Sequence, residues 1–420
     1  MSTRRKKLEL TWTGKDDRTP LEPRILVEDA SLSHTAAGAS GDLVDNLLIH
    51  GDNLLALKAL EQEFAGRVKC IYIDPPYNTG SAFEHYDDGV EHSLWLSLMR
   101  DRLLLLKTLL REDGVLFVQI DDREFAYLQV LMDEVFGRPQ RLNVIAVKMS
   151  ELSGVKMSHV ERRLPKLKEY ILVYGKSEVA SLRPVKVPKS GAALEKYLRY
   201  YASCITNPEA PVEHWNIVGI REHLKASGAP SDAAAVRTFQ LANAERVVYR
   251  TNNKSLEDLS FPTATARVVS ATGLEYVWWE GKQMLFLSDY VEEYLGDLWT
   301  DISTINLNKE GGVPFPNGKK PEALIRRVLQ LASAPGDWVL DSFAGSGTTA
   351  AVAHKMKRRW VTIERGDQAT THCLPRLQAV VNGTDGGGVT QAEAWTGGGG
   401  FRFCRLAPSL LERDKWDNWV

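Results

Sequence analysis

Cys70-Ile71-Tyr72-Ile73-Asp74-Pro75-Pro76-Tyr77 reads as a short buried strand that ends on a carboxylate and two prolines. Four apolar residues are too few for a helix, and Pro75 and Pro76 have no N–H to continue a ladder. Upstream, Leu47-Leu48-Ile49-His50 is another apolar run, closed by Gly51-Asp52-Asn53, and a helical pattern follows through Leu54, Leu57 and Leu60. Downstream, Ser93 can cap a long helix carrying Leu94, Trp95, Leu98, Met99 and Leu103 to Leu106, which stops near Asp113-Gly114. Val115 to Ile120 then reads as a strand. A helix with Phe125, Leu128, Leu131 and Met132 on its apolar stripe ends at Gly137, and Glu169 to Gly175 is a further strand. Strands alternating with helices predict an α/β fold with a doubly wound, mostly parallel sheet.

The rhythm breaks after Lys176 and returns near 300, with a helix from Glu322 to Leu331, a strand from Trp338 to Leu340 and a strand from Trp360 to Ile363. The interruption is rich in aromatic and basic residues and reads as an inserted domain. At 420 residues the chain has room for two or three domains. The expected division is an N-terminal arm over 1–43, halves of one α/β domain at 44–180 and 301–382, an insert at 181–300 and a glycine-rich segment at 383–420. Phe401 to Leu406 in that last segment is expected as an edge strand.

Composition is that of an ordinary globular protein, 44% hydrophobic and 25% charged. No apolar run reaches the ~18–20 residues that span a bilayer, and the start lacks the apolar core of a secretory signal. The cysteines, Cys70, Cys204, Cys373 and Cys404, are scattered without metal-ligand spacing. These features predict a cytoplasmic protein with no membrane partner and no metal. The net charge of −2 hides an uneven distribution: Arg141 to Lys176 holds eight basic and three acidic residues. Such an excess suits contact with phosphates, with Lys148, Lys156, Arg162 and Arg163 as candidates.

Two constellations carry chemistry. The amine of an aromatic ring is a poor nucleophile because its lone pair is delocalised, and acceptors that bond its N–H groups free that pair. Asp74, with the carbonyl of Pro75 or Pro76, offers such acceptors at a strand end, and Tyr77 offers a face for stacking. The second is Val339-Leu340-Asp341-Ser342-Phe343-Ala344-Gly345-Ser346-Gly347-Thr348. Gly345 and Gly347 let a ligand approach the backbone ahead of a helix whose N–H groups favour an acidic group. The spacing is neither GxGxxG nor a phosphate-binding loop with its lysine. Glu364, at the end of the next strand, could hold ribose hydroxyls.

Asp74 to Tyr77 resembles the catalytic motif of DNA amino-methyltransferases, and Asp341 to Thr348 their S-adenosylmethionine loop. The order, catalytic motif first, is that of the permuted β class. Asn46 to Lys58, Asp74 to Gly80, Phe117 to Asp122 and the Gly397-Gly-Gly-Gly-Phe-Arg-Phe403 tail are similar to modification (Mod) subunits of type III restriction-modification systems.

The resemblance implies a Rossmann-like methyltransferase sheet with a target-recognition domain at 181–300. It implies transfer of a methyl group from S-adenosyl-L-methionine to N6 of adenine in double-stranded DNA, after base flipping. Asp at position 74 favours adenine; N4 of cytosine, and a non-catalytic DNA-binding subunit, are the alternatives. Asp74, Pro75, Pro76 and Tyr77 would be catalytic. Asp52 would meet the adenine of the cofactor, Asp341, Phe343, Gly345, Gly347 and Thr348 would surround its methionine part, and Glu364 would hold its ribose. Lys320 and Pro321 would lie in a segment packed over it. Asn78, Phe83 and Tyr86 would help hold the base. A homodimer and a restriction subunit are the further partners implied.

Overall fold

The computed structural model describes residues 9–17, 21–22, 24–38, 41–78, 91–150, 164–189, 191–251, 266–269, 275–279, 282–305, 307–315 and 318–409. Phe83, Tyr86, Lys156, Arg162 and Arg163 lie outside them. The chain forms two compact units, one from Met1–Arg183 with Gly296–Val420 and one from Pro184–Leu295.

The first unit is built on a sheet that has eleven strands among the described residues. In chain order they are β1 Leu26–Glu28, β2 His34–Thr35, β3 Asn46–His50, β4 Val68–Ile73, β5 Leu110–Ile120, β6 Arg141–Lys148, β7 Lys168–Gly175, β8 Leu298–Trp299, β9 Trp338–Asp341, β10 Arg359–Glu364 and β11 Gly400–Leu406. The helices are α1 Asn53–Phe64, α2 His92–Leu109, α3 Phe125–Met132, α4 Glu322–Ala332, α5 Thr348–Lys355 and α6 Leu374–Val381. Across the sheet the order is β1-β11-β3-β10-β9-β4-β5-β7-β6-β8, with β2 also pairing β11. From β11 to β5 all neighbours are parallel, and β7 runs antiparallel to β5 and β6.

Parallel strands covered on both faces must be apolar throughout, and β4 is buried at every residue. Its Lys69 carries the charge out by reaching the Asp113 carboxylate at 2.9 Å and the Asp113 carbonyl at 2.6 Å. The Asp52 side chain caps α1 by accepting from the Leu54 and Leu55 N–H groups. Ala56, Leu57, Leu60 and Phe64 form that helix's buried face.

Several expectations need correction. Glu91, not Ser93, caps α2, its carboxylate accepting from the Ser93 N–H. That helix ends at Leu109, and β5 begins at once because Leu110 pairs with Val68. Gly114 sits where that pairing slips, and a Cβ there would lie 2.9 Å from the Val68 carbonyl, too close for any other residue. β11 is no edge: it lies between β1 and β3, with Phe401 and Phe403 fully buried. The stretch expected as an arm supplies β1 and β2, and Leu10, Trp12 and Leu21 pack on the core. Arg141–Lys148, read as a basic surface, is a strand of the sheet.

The second unit has its own antiparallel sheet of six strands among the described residues. Their order is Ile217–Gly219, Ser203–Ile205, Val247–Thr251, Lys282–Phe286, Glu275–Trp279 and Ala266–Val269. Leu194, Leu198, Tyr201, Ile220 and Leu224 close one core beside that sheet.

Candidate active site

Chain order and sheet order together locate the site. From β4 the chain crosses through α2 to β5 on one side, and from β9 it crosses through α5 to β10 on the other. β4 and β9 are neighbours, so their carboxyl ends flank the point where the sheet reverses direction, the usual place for a ligand crevice in such sheets. Asp74 follows β4 and Asp341 ends β9, with Leu340 level with Ile71. Two motifs far apart in sequence are thus brought to one crevice.

At the β4 side, the Tyr77 hydroxyl lies 2.6 Å from Asp74 Oδ1 and 2.9 Å from Glu169 Oε2. Lys320 Nζ stands 2.7 Å from Asp74 Oδ2, 3.8 Å from Glu169 Oε2 and 5.1 Å from the Tyr77 ring centre. Gln119 donates its amide to Glu169 at 2.5 Å and accepts from the Tyr72 hydroxyl at 2.5 Å. Burial pushes the Asp74 carboxyl above its usual range, with Lys320 opposing and Glu169 adding to the shift. Burial lowers the Lys320 ammonium, but Asp74 and Glu169 outweigh it and the group stays strongly basic. The Pro76 carbonyl accepts from the Trp95 indole at 2.8 Å, which ties the turn to α2. Asn78 holds a left-handed backbone (φ 54°) and donates to Glu124 at 2.9 Å, which suits its place in the turn.

At the β9 side, Gly345 and Gly347 both have positive φ, 53° and 73°, a backbone that glycine adopts without the steric cost of a side chain. Glu364 accepts the Gly345 N–H at 2.8 Å with one oxygen and the Gly366 N–H at 2.9 Å with the other. Glu364, the residue expected on a ribose, also braces this loop. Asp341 accepts the Phe343 N–H at 2.9 Å, and burial pushes its carboxyl up to about 7. Thr348 accepts from Arg376 at 2.7 Å, and Arg376 also donates to the Ser346 carbonyl at 3.2 Å. Behind them Arg376 meets Glu322 at 2.8 Å, Glu322 meets Lys355 at 2.8 Å, and Lys355 meets Asp385 at 2.7 Å, all buried. Pro321 stands at the cap of α4.

Asp52 lies in the turn after β3, which neighbours β10. One of its oxygens caps α1 and the other faces Arg102 at 3.8 Å. Arg102 donates to Asn53 at 2.6 Å, and Asn53 donates to the Ser342 carbonyl at 2.7 Å, so this turn is fastened to the β9 loop. The Ser342 hydroxyl is buried without a hydrogen-bond partner, an orphan that a polar ligand would satisfy. The residues therefore fit a ligand with polar groups at the mouth of β9.

The basic stretch looks different in three dimensions. Lys166 pairs with the buried Asp121, Lys168 with Asp122, Lys176 with Glu112 and Arg141 with Asp133. Carboxylates from other segments absorb these charges, which a count along the sequence cannot show. Lys148 ends β6.

Sequence reasoning missed Glu169, Gln119, Asn53 and Arg376. Gln119 could have been flagged as a single polar residue inside an otherwise apolar run.

A buried carboxylate and a tyrosine follow β4, and a glycine loop follows the neighbouring strand β9. The sequence profile of the DNA methylase family matches residues 68–373, and the chain belongs to that family. It is 36% identical to a probable type III restriction-modification enzyme HindVI Mod subunit of Haemophilus influenzae, over 88% of this chain and 55% of that one. It is 30% identical to the EcoPI Mod subunit of Escherichia phage P1, over 82% and 60%. It is 26% identical to the type II methyltransferase M.EcaI of Enterobacter cloacae, over 88% and 78%. The chain spans between half and two thirds of the length of the Mod subunits it matches. Among the described residues no helix is long and apolar enough to cross a membrane.

Proposed function

We propose that this chain methylates the exocyclic N6 amine of adenine in double-stranded DNA, with S-adenosylmethionine as donor. The observation that carries it is the meeting of Asp74 and the Asp341 loop at one switch point, in a chain of the DNA methylase family. Bound, S-adenosylmethionine supplies a methyl group on a sulfonium, whose C–S bond breaks with the electron pair left on sulfur. The turn of Ser342, Phe343, Gly345 and Gly347 would hold its methionine part, with Asp52 towards its adenine. Asp74 and the Pro75 carbonyl accept the N–H groups of the target amine and localise its lone pair, since the Pro76 carbonyl is turned to Trp95. The task is alignment and polarisation, so no covalent enzyme intermediate is required.

The target nitrogen is inside the duplex, so the base must swing out, at a cost of a few kcal/mol that stacking on Tyr77 partly offsets. Pro184–Leu295 is the proposed sequence-reading unit. The relatives' names support a place in a restriction-modification system. A restriction subunit and a second copy of the chain are the proposed partners, and the cytoplasm is the proposed location. The test is incubation of the protein with unmethylated DNA and labelled S-adenosylmethionine, then mass spectrometry of the nucleosides. Labelled N6-methyladenine supports the reading; labelled N4-methylcytosine replaces the base; DNA binding without label favours a binding subunit.

A further inference from the structure

Glu169, near the start of β7, is a hub that the methylation scheme above leaves without a task. Its Oε2 receives the Gln119 amide at 2.5 Å, lies 2.9 Å from the Tyr77 hydroxyl and stands 3.8 Å from Lys320 Nζ. Tyr77 has one hydroxyl proton for two carboxylates, and so holds Asp74 and Glu169 on either side of itself. The chain Tyr72–Gln119–Glu169–Tyr77–Asp74 runs from the sheet interior to the crevice, with each member fixed by the next. An ammonium, that of Lys320, already sits against both carboxylates and near the Tyr77 ring.

Resting on the methyl-transfer reading, we propose that Glu169 is a positioning residue for that reaction. It sets the Tyr77 hydroxyl and, with Asp74, makes a pair of carboxylates beside an aromatic ring that suits a cationic nitrogen. An amine that has bonded a methyl carbon with its own lone pair is such a nitrogen. It stays cationic until one of its N–H protons passes to water. A site prearranged for that charge favours the transition state over the neutral amine.

The test compares the full chain with Glu169→Gln, Glu169→Asp and Tyr77→Phe, in single-turnover transfer of label from S-adenosylmethionine to unmethylated DNA. Glu169→Gln is isosteric and uncharged, and it should slow transfer about 10- to 100-fold, the size of one lost charge-assisted hydrogen bond. KM for S-adenosylmethionine should stay within about twofold, which separates this role from a general loosening of the site. Glu169→Asp should recover part of the rate. Tyr77→Phe keeps the stacking face and loses the hydroxyl, and should slow transfer about tenfold. A wild-type rate in Glu169→Gln overturns the proposal; if that variant does not fold, a wild-type rate in Tyr77→Phe does. Failure of the unaltered chain to label DNA overturns the methyl-transfer reading, and the positioning role with it.

Discussion

Lys320 Nζ lies 2.7 Å from Asp74 Oδ2, so the proposed amine acceptor is held by an ammonium from the far half of the chain. The pair is largely shielded from water, with 10% of the lysine side chain and 19% of the aspartate side chain exposed. An incoming amine therefore competes with Lys320 for the oxygens it needs. The segment from Lys319 to Pro321 links the Asp74 carboxylate to α4, and through Glu322 to the buried charges behind the glycine loop.

Asp74→Ala should abolish methyl transfer, by at least about three orders of magnitude if the carboxylate is what localises the lone pair. The S-adenosylmethionine affinity, measured by calorimetry, should change little because the glycine loop stands on other strands. Retained turnover would show that Asp74 is not the acceptor.

Lys320→Met should move the acid limb of the rate profile to higher pH. Lys320 opposes the rise of the Asp74 carboxyl, so its loss lets that carboxyl keep its proton longer. The ionised carboxylate is the strong acceptor of the amine hydrogen, and protonation turns one of its oxygens into a donor, so activity should vanish earlier on acidification. An opposite charge at this distance is worth about one pH unit or more. A profile unmoved by the substitution would count against a functional Lys320–Asp74 pair.

The central strands were legible because β4, β9 and the Val115 to Ile120 part of β5 are buried and read as mostly apolar runs. Their punctuation by Asp, Pro and Gly located both motifs. β6 escaped because its alternation is diluted by Arg141, Asn143 and Lys148 on partly covered positions. The interior place of β11 depends on pairing with β1, which no local pattern announces. Glu169 and Arg376 were invisible for a similar reason: each takes its meaning from partners distant in sequence, Tyr77 for the first and Thr348 with Glu322 for the second.

Basic residues of 141–176 should separate into two groups. Lys166 neutralises Asp121, which is 1% exposed, so Lys166→Met should lower stability by about 1–3 kcal/mol while leaving the salt dependence of DNA binding unchanged. Replacing Lys156, Arg162 and Arg163 should weaken binding to all DNA sequences alike. The slope of log K against log salt should fall by about 0.9 for each residue that meets a phosphate. Binding isotherms at several salt concentrations, with urea melts of the same variants, would check both. A salt slope altered by Lys166→Met would mean that its pairing with Asp121 opens on DNA.

Arg376 tests whether the glycine loop depends on the charges beneath it. Its guanidinium holds Thr348 at 2.7 Å and Ser346 at 3.2 Å, and is itself held by Glu322 at 2.8 Å with no side-chain exposure on either partner. Removing one member of a buried pair leaves the other charge uncompensated, at a cost of roughly 3–5 kcal/mol. Lys355 still neutralises Glu322, so the loss in Arg376→Met should fall at the lower end of that range. Arg376→Lys keeps the charge but cannot reach Glu322 and Thr348 together, so its stability should recover more than its function. S-adenosylmethionine affinity should then fall in both variants, because Ser346 and Thr348 lose their anchor. Thermal melts read the first effect and calorimetry the second. If Arg376→Lys binds S-adenosylmethionine as the unaltered chain does, the loop is held without Arg376, by Glu364 on Gly345 and Asn53 on Ser342, and the buried charges serve stability only.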